Sequence, residues 1–300
     1  MKSTSIQRLN ADHRLRKWKR RIWFALNWLN NSIFPGWKSN TLETRHFEPD
    51  LSGKAWQQVD SRSSPSRALS DLFWMQLPWE RIHADLGQIH IVDTGCGSGR
   101  YGEELQKFSG GRTASYTGLD ESAHPDWADR VQRNAFIHLQ VADSAGFGDM
   151  IPPITNLFMS QSAIEHFPED LTYFRQVKRF IDQQFGPVLQ IHLFPSAACL
   201  RLYRFHGVRQ YTPRTVSMIC ALFPESACHL FELGGSDCNE LHWEYVTKPV
   251  LLEGRRDRRE KEAEPYAQRL RQALEAQSSG RSDASFYALV IHSHAKNRII

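Results

Sequence analysis

The stretch IVDTGCGSGRYG, residues 91–102, sets four glycines within eight positions, directly after a short apolar run. It reads in two registers. From Gly97 to Gly102 it fits G-x-G-x-x-G, the fingerprint of a dinucleotide-binding turn. From Asp93 it fits D-x-G-x-G-x-G, with Gly95, Gly97 and Gly99 following an acidic strand end. In a nicotinamide-binding unit the first glycine ends the strand itself, because the pyrophosphate rests on that turn and on the next helix N-terminus. Counting from Gly97 leaves Asp93-Thr94-Gly95-Cys96 in between and sets a carboxylate where the pyrophosphate belongs. Asp93 suits a ligand with a cationic ammonium and no phosphate, and the glycines let the backbone approach it closely.

Outward from this turn, strands alternate with helices. Ile89–Val92 reads as the first strand, and 102–108 starts the following helix. ASYTGLD (114–120) is a second strand ending in Asp120, 21 residues beyond Gly99, where an acid accepts ribose hydroxyls. FIHLQVAD (136–143) is a third, ending in Asp143-Ser144, where a carboxylate suits an adenine amino group. ITNLFMSQS (154–162), GPVLQIHLF (186–194), CHLFEL (228–233) and SFYALVIHS (285–293) bring the count to seven. Helices are expected in RALSDLFWMQL, WERIHADLG and LTYFRQVKRFIDQQF, and from the Thr212-Pro213 cap to Leu222. The charged run 253–276 reads as a solvated surface helix. The fold class is α/β: a doubly wound, Rossmann-like, seven-stranded sheet, mostly parallel, with helices on both faces.

IVDTGCGSGRYG, YTGLDES, VADSAG and NLFMSQSAIEHFPED, in this order and at these spacings, resemble the class I S-adenosylmethionine-dependent methyltransferases of the type 11/12 kind. The resemblance covers roughly residues 85–195 and makes SFYALVIHS that fold's antiparallel last strand. It implies S-adenosyl-L-methionine as cofactor. By it, Asp93, Gly95, Cys96, Gly97 and Gly99 hold the methionine part, Asp120 the ribose, and Asp143 with Ser144 the adenine. Ser160, Gln161 and Ser162 line the wall below the methyl group, and Cys96 is a small apolar filler. Glu165-His166 stands where that fold keeps its acceptor, and His166, with a reference pKa near neutrality, is the candidate general base. A related signature, E-x-x-E-H, resembles a magnesium site. Ser162 replaces its first glutamate, and a hard cation wants several oxygens, so no metal is expected.

The remaining signals concern acceptor and location. Between Gln183 and Pro224 there is no Asp or Glu, while Arg201, Arg204, Arg209 and Arg214 lie among aromatics. This acceptor-side insertion, 195–226, suits a sugar, phosphate or carboxylate. It bears a weaker resemblance to methyltransferases of polysaccharide synthesis. The apolar fraction is 41%, the net charge +4, and the first 50 residues hold ten Lys/Arg against four acids. Residues 1–60 therefore read as a basic amphipathic extension ahead of a catalytic domain at 61–300. Its helix, roughly 12–34, carries the stripe Leu15, Trp18, Ile22, Leu26, Leu29 and Ile33. Tryptophans among basic residues suit a lid, a dimer element or an anionic membrane surface. Nucleic acid is disfavoured, since the body carries no basic face. No apolar run reaches 18 residues, and no secretory signal is expected. Five cysteines with no C-x-x-C pair point to a reducing cytoplasm. The expected activity is O-methylation of a sugar or lipid-linked glycan hydroxyl at the inner membrane face. A small-molecule amine, carboxylate or phenol acceptor, and a non-catalytic nucleoside-binding subunit, stay open.

Overall fold

The computed structural model describes residues 1–13, 15–143, 146–203, 205–276 and 284–297. The strands are β1 (Leu42–His46), β2 (Ile89–Thr94), β3 (Thr113–Asp120), β4 (Ile137–Val141), β5 (Leu157–Gln161), β6 (Val188–Pro195), β7 (Ala227–Leu233) and β8 (Phe286–Ser293). They form one sheet in the order β1-β7-β8-β6-β5-β2-β3-β4. All pairings are parallel except the two made by β8, which lies antiparallel between β6 and β7. From β2 the chain winds outward through β3 to β4, then returns to the other side of β2 to lay down β5 and β6. That reversal opens a crevice at the carboxyl ends of β2 and β5, where open α/β sheets bind ligands.

Period-two burial accounts for the layers. On β8, Phe286, Ala288 and Val290 face one core and Tyr287, Leu289 and Ile291 the other. On β6, Leu189, Ile191 and Leu193 join the first core, and Val188 and Phe194 the second. Every residue of both strands is buried, which only a central, doubly covered strand achieves. The first face is covered by helices Pro65–Met75, Trp79–Leu86, Arg100–Phe108 and Ala263–Glu275, and the second by Asp170–Ile181 and Pro213–Cys220. The expected cap is present: Thr212 Oγ1 accepts from the Thr215 amide, with Pro213 at the first helical position.

Two expectations are corrected in the N-terminal region. The sheet has eight strands, not seven, because residues 42–46 of the polar extension form β1 on the edge beside β7. Only Leu42 of that strand is buried, so its sequence lacks the alternation that marks a strand. The extension is thus tied into the sheet ahead of residue 60. The helix α1 spans Lys17–Ser32, not 12–34, and it docks by the face opposite its apolar stripe. Trp23, Asn27, Asn30 and Asn31 are buried, whereas Trp18, Ile22, Leu29 and Ile33 are exposed. Under α1 lie Ala11 and Leu200, which pack on the Trp23 ring, and the loop around Gly207, whose carbonyl takes a donor. Trp23 Nε1 donates to the Gly207 carbonyl at 3.1 Å, and Arg214 donates to the Asn30 carbonyl at 3.0 Å. No helix among the described residues is long and apolar enough to cross a membrane.

Candidate active site

The glycine stretch turns sharply between β2 and helix Arg100–Phe108. Gly95, Gly97 and Gly99 have φ of 72°, 54° and 75°. At Gly95 no other residue fits: an added Cβ would lie 2.4 Å from the Ala163 Cβ. The turn is pinned to β3, since the amides of Gly95 and Cys96 donate to the Leu119 carbonyl at 2.7 and 3.2 Å. The Gly97 amide donates to Asp120 Oδ2 at 2.8 Å.

Beside this turn opens a cavity of about 600 Å³, lined by Thr94, Gly95, Leu119, Asp120, Asp143, Ser162 and His166 among others. That is the size of a small-molecule site. Its walls carry the carboxylates of Asp12, Asp120, Glu121 and Asp143, with Arg8 as the only Lys or Arg among the lining residues. A pyrophosphate is repelled by such walls, and a cationic ligand is attracted.

The expected site residues divide. Gly95, Asp120, Asp143 and His166 face this cavity. Asp93 does not: it is 1% exposed, accepts a hydrogen bond from the Tyr116 hydroxyl, and burial, opposed by that bond, pushes its carboxyl up to about 7. The acids that disfavour a pyrophosphate are therefore Asp120, Glu121 and Asp143. Cys96 is buried, its Sγ filling the space beside Gly118, and Gly97 and Gly99 shape the turn from behind. Ser160 is buried with its hydroxyl 3.0 Å from His192 Nδ1. Ser144 and Arg204 lie outside the described residues. Gln161 faces a second cavity of about 250 Å³ on the far side of Ser162, lined by Ser64, Ser66, Arg67, Ser70, Tyr203 and His206 among others. Ser162 borders both cavities and holds φ 52°, a strained value for a residue with a side chain.

Between the two cavities stands a cluster that only the fold assembles. The His166 and His206 rings meet edge to face with centroids 4.7 Å apart. Asp12 Oδ2 lies 2.6 Å from His166 Nδ1, and Asp12 Oδ1 lies 3.4 Å from His206 Nδ1. Glu165 Oε1 sits 3.8 Å from Nε2 of each ring. Glu165 is fully buried, and neither carboxylate oxygen has a hydrogen-bond partner among the described residues. Burial alone would lower the His206 pKa, but Asp12 and Glu165 outweigh it and push it up to about 10. Burial would raise Asp12, yet the two imidazoles hold it well below the usual carboxylate range. Asp12 reaches the cluster because residues 1–13 run as a strap over the cavity. Thr4 is bonded to the Asp170 carboxylate, and the Ala11 amide to the Gly207 carbonyl at 2.9 Å. Sequence reasoning found Glu165 and His166 but missed Asp12, His206 and the serines of helix Pro65–Met75.

The arginines of 195–226 are not an unopposed set. Arg209 is 1% exposed and lies 3.3 Å from Asp170, with further bonds to the Ile164 and Pro168 carbonyls. Arg214 holds α1. The partnering acid comes from outside the acid-free stretch.

No family model matches this chain, and no curated protein does. Among solved structures, it is similar to the plantazolicin methyltransferase BamL in complex with a triazolic desmethylPZN analog and SAH, at 12% identity and a TM-score of 0.48, over 80% of this chain and 90% of that one. It is similar to geranyl diphosphate C-methyltransferase from Streptomyces coelicolor A3(2), in complex with Mg2+, geranyl diphosphate and S-adenosyl-L-homocysteine, at 16% identity and 0.44, over 92% and 95%. Phosphoethanolamine N-methyltransferase 2 from Haemonchus contortus, in complex with S-adenosyl-L-methionine, follows at 15% and 0.42, over 79% and 60%. Identities and scores this low leave the chemistry of this chain to its own residues.

Proposed function

We propose that this chain is an S-adenosylmethionine-dependent methyltransferase acting on a hydroxyl of a sugar-like acceptor, one carried on a lipid at a membrane surface. The observation that carries the cofactor reading is Gly95, Asp120 and Asp143 facing one acid-walled cavity at the switch point of the sheet. Asp120, at the end of the second strand of the nucleotide-binding unit, is set to accept ribose hydroxyls, and Asp143 the adenine amino group. When bound, the cofactor supplies an electrophilic methyl on a sulfonium, which an acceptor oxygen displaces in line. The chain's own task is to align the two and receive the hydroxyl proton. His166, on the wall of the larger cavity, is the proton acceptor through Nε2, and Asp12, 2.6 Å from Nδ1, orients the ring.

Calorimetry tests the cofactor. S-adenosylmethionine and its demethylated product are expected to bind the full chain, and Asp120→Ala to weaken both at least tenfold. Absence of binding, or an unchanged affinity in the variant, rejects the reading.

The exposed face of α1 supports the membrane part. Trp18, Ile22 and Leu29 are 54%, 41% and 46% exposed, beside Lys17, Lys19, Arg20 and Arg21. A second copy would bring like charges together, whereas anionic headgroups complement them. The full chain is expected to sediment with phosphatidylglycerol vesicles and not with phosphatidylcholine alone, and Ile22→Glu with Leu29→Glu to abolish this. Sedimentation unaffected by these changes removes the membrane assignment.

A further inference from the structure

The geometry points to a divalent transition-metal site formed by Asp12, His166 and His206, which we propose binds one ion per chain and clasps the N-terminal strap over the cavity. One atom from each residue, a carboxylate oxygen and two ring nitrogens, lies within 4.8 Å of the others. The nitrogens beside Asp12 are Nδ1 of each ring, at 2.6 and 3.4 Å from its oxygens. Tetrahedral ligands about 2.1 Å from an ion stand roughly 3.4 Å apart, so small side-chain shifts admit one.

The second observation is Glu165. Metal-binding imidazoles donate their other N–H to a carboxylate, which fixes the tautomer and the ring plane. Glu165 is fully buried, its oxygens have no hydrogen-bond partner among the described residues, and Oε1 is equidistant at 3.8 Å from Nε2 of both rings. It is set to receive both Nε2–H groups and leave both Nδ1 lone pairs toward Asp12.

Two imidazoles and one carboxylate select zinc, iron(II) or manganese over magnesium, and three protein ligands leave a position open. Ser162 stands where the E-x-x-E-H signature has its first glutamate, and Asp12 brings a carboxylate from 154 residues away. The ion and the proton-accepting role of His166 exclude one another, because with Nδ1 on the metal and Nε2–H toward Glu165 no lone pair is free. The site does not depend on the methyltransferase reading and is measured without turnover.

The test titrates the full chain, stripped with chelator, with cobalt(II) and zinc. Expected are about one zinc per chain by elemental analysis and a visible cobalt band of four- or five-coordinate type. Asp12→Asn and His206→Gln should each weaken binding at least tenfold, and His124→Ala, a surface histidine, should not. Far-UV circular dichroism and thermal unfolding report whether each variant is folded. A readout needing no buried substitution is tryptic cleavage within residues 1–16, which zinc is expected to slow in the unmodified chain and not in Asp12→Asn. Absence of the cobalt band, or a band and stoichiometry retained in both variants, overturns the site.

Discussion

Gly95→Ala is expected to cost about 2–4 kcal/mol of stability and to remove measurable cofactor binding. A left-handed backbone costs an alanine about 1–2 kcal/mol, and Gly95 holds φ 72°. The rest is steric. The new methyl would lie 2.4 Å from the Ala163 Cβ, an atom fixed to backbone that cannot rotate away. Relief requires the turn after β2 to part from the loop after β5, and both line the cavity. Gly97→Ala is the control: its φ is 54°, but an added Cβ meets nothing within 4 Å, so only the conformational cost of about 1–2 kcal/mol applies. Urea denaturation of both variants, with cofactor calorimetry beside it, separates the two contributions. Equal losses in the two variants would show that contact with Ala163 has no part in closing the site.

What the sequence made legible follows from burial. β6 and β8 are covered on both faces and appear as dense apolar runs, broken in β6 only by Gln190 and His192, and the glycine turn declares itself because its positive φ values disfavour other residues. β1 is an edge strand with a single buried residue, so no pattern marks it. α1 shows the converse failure. Its apolar stripe is plain in the sequence, but a stripe tells what water disfavours, not what the neighbouring surface accepts. The loop around Gly207 offers a carbonyl that takes Trp23 Nε1, Ala11 and Leu200 pack on the same ring, and Asn31 meets the Gln210 side chain. Glu165-His166 was legible as a local motif. Asp12 and His206 were not, because their closeness to it depends on the strap crossing the cavity, a long-range event with no periodic signature. Arginine 209 was misread for the same reason: absence of acids nearby in sequence says nothing about Asp170 across the loop.

That pair yields the other large effect. Arg209→Met is expected to lower stability by about 3 kcal/mol, toward the low end for breaking a buried ion pair by removing one partner. Asp170 is fully buried and would lose its cation, but it keeps hydrogen bonds from the Thr4 and Leu171 amides and the Tyr211 hydroxyl, which moderates the loss. The same change strips a donor from the Ile164 and Pro168 carbonyls, which flank Glu165 and His166, and from Ser3 at the start of the strap. Loosened strap contacts should therefore accompany the stability loss, read as faster tryptic cleavage of residues 1–16. The double variant Arg209→Met with Asp170→Leu discriminates the cause. If an uncompensated carboxylate is responsible, removing it as well returns part of the stability lost in the single variant. If the two losses simply add, Arg209 acts through its carbonyl contacts alone, and the ion pair contributes nothing to holding strap and loop together.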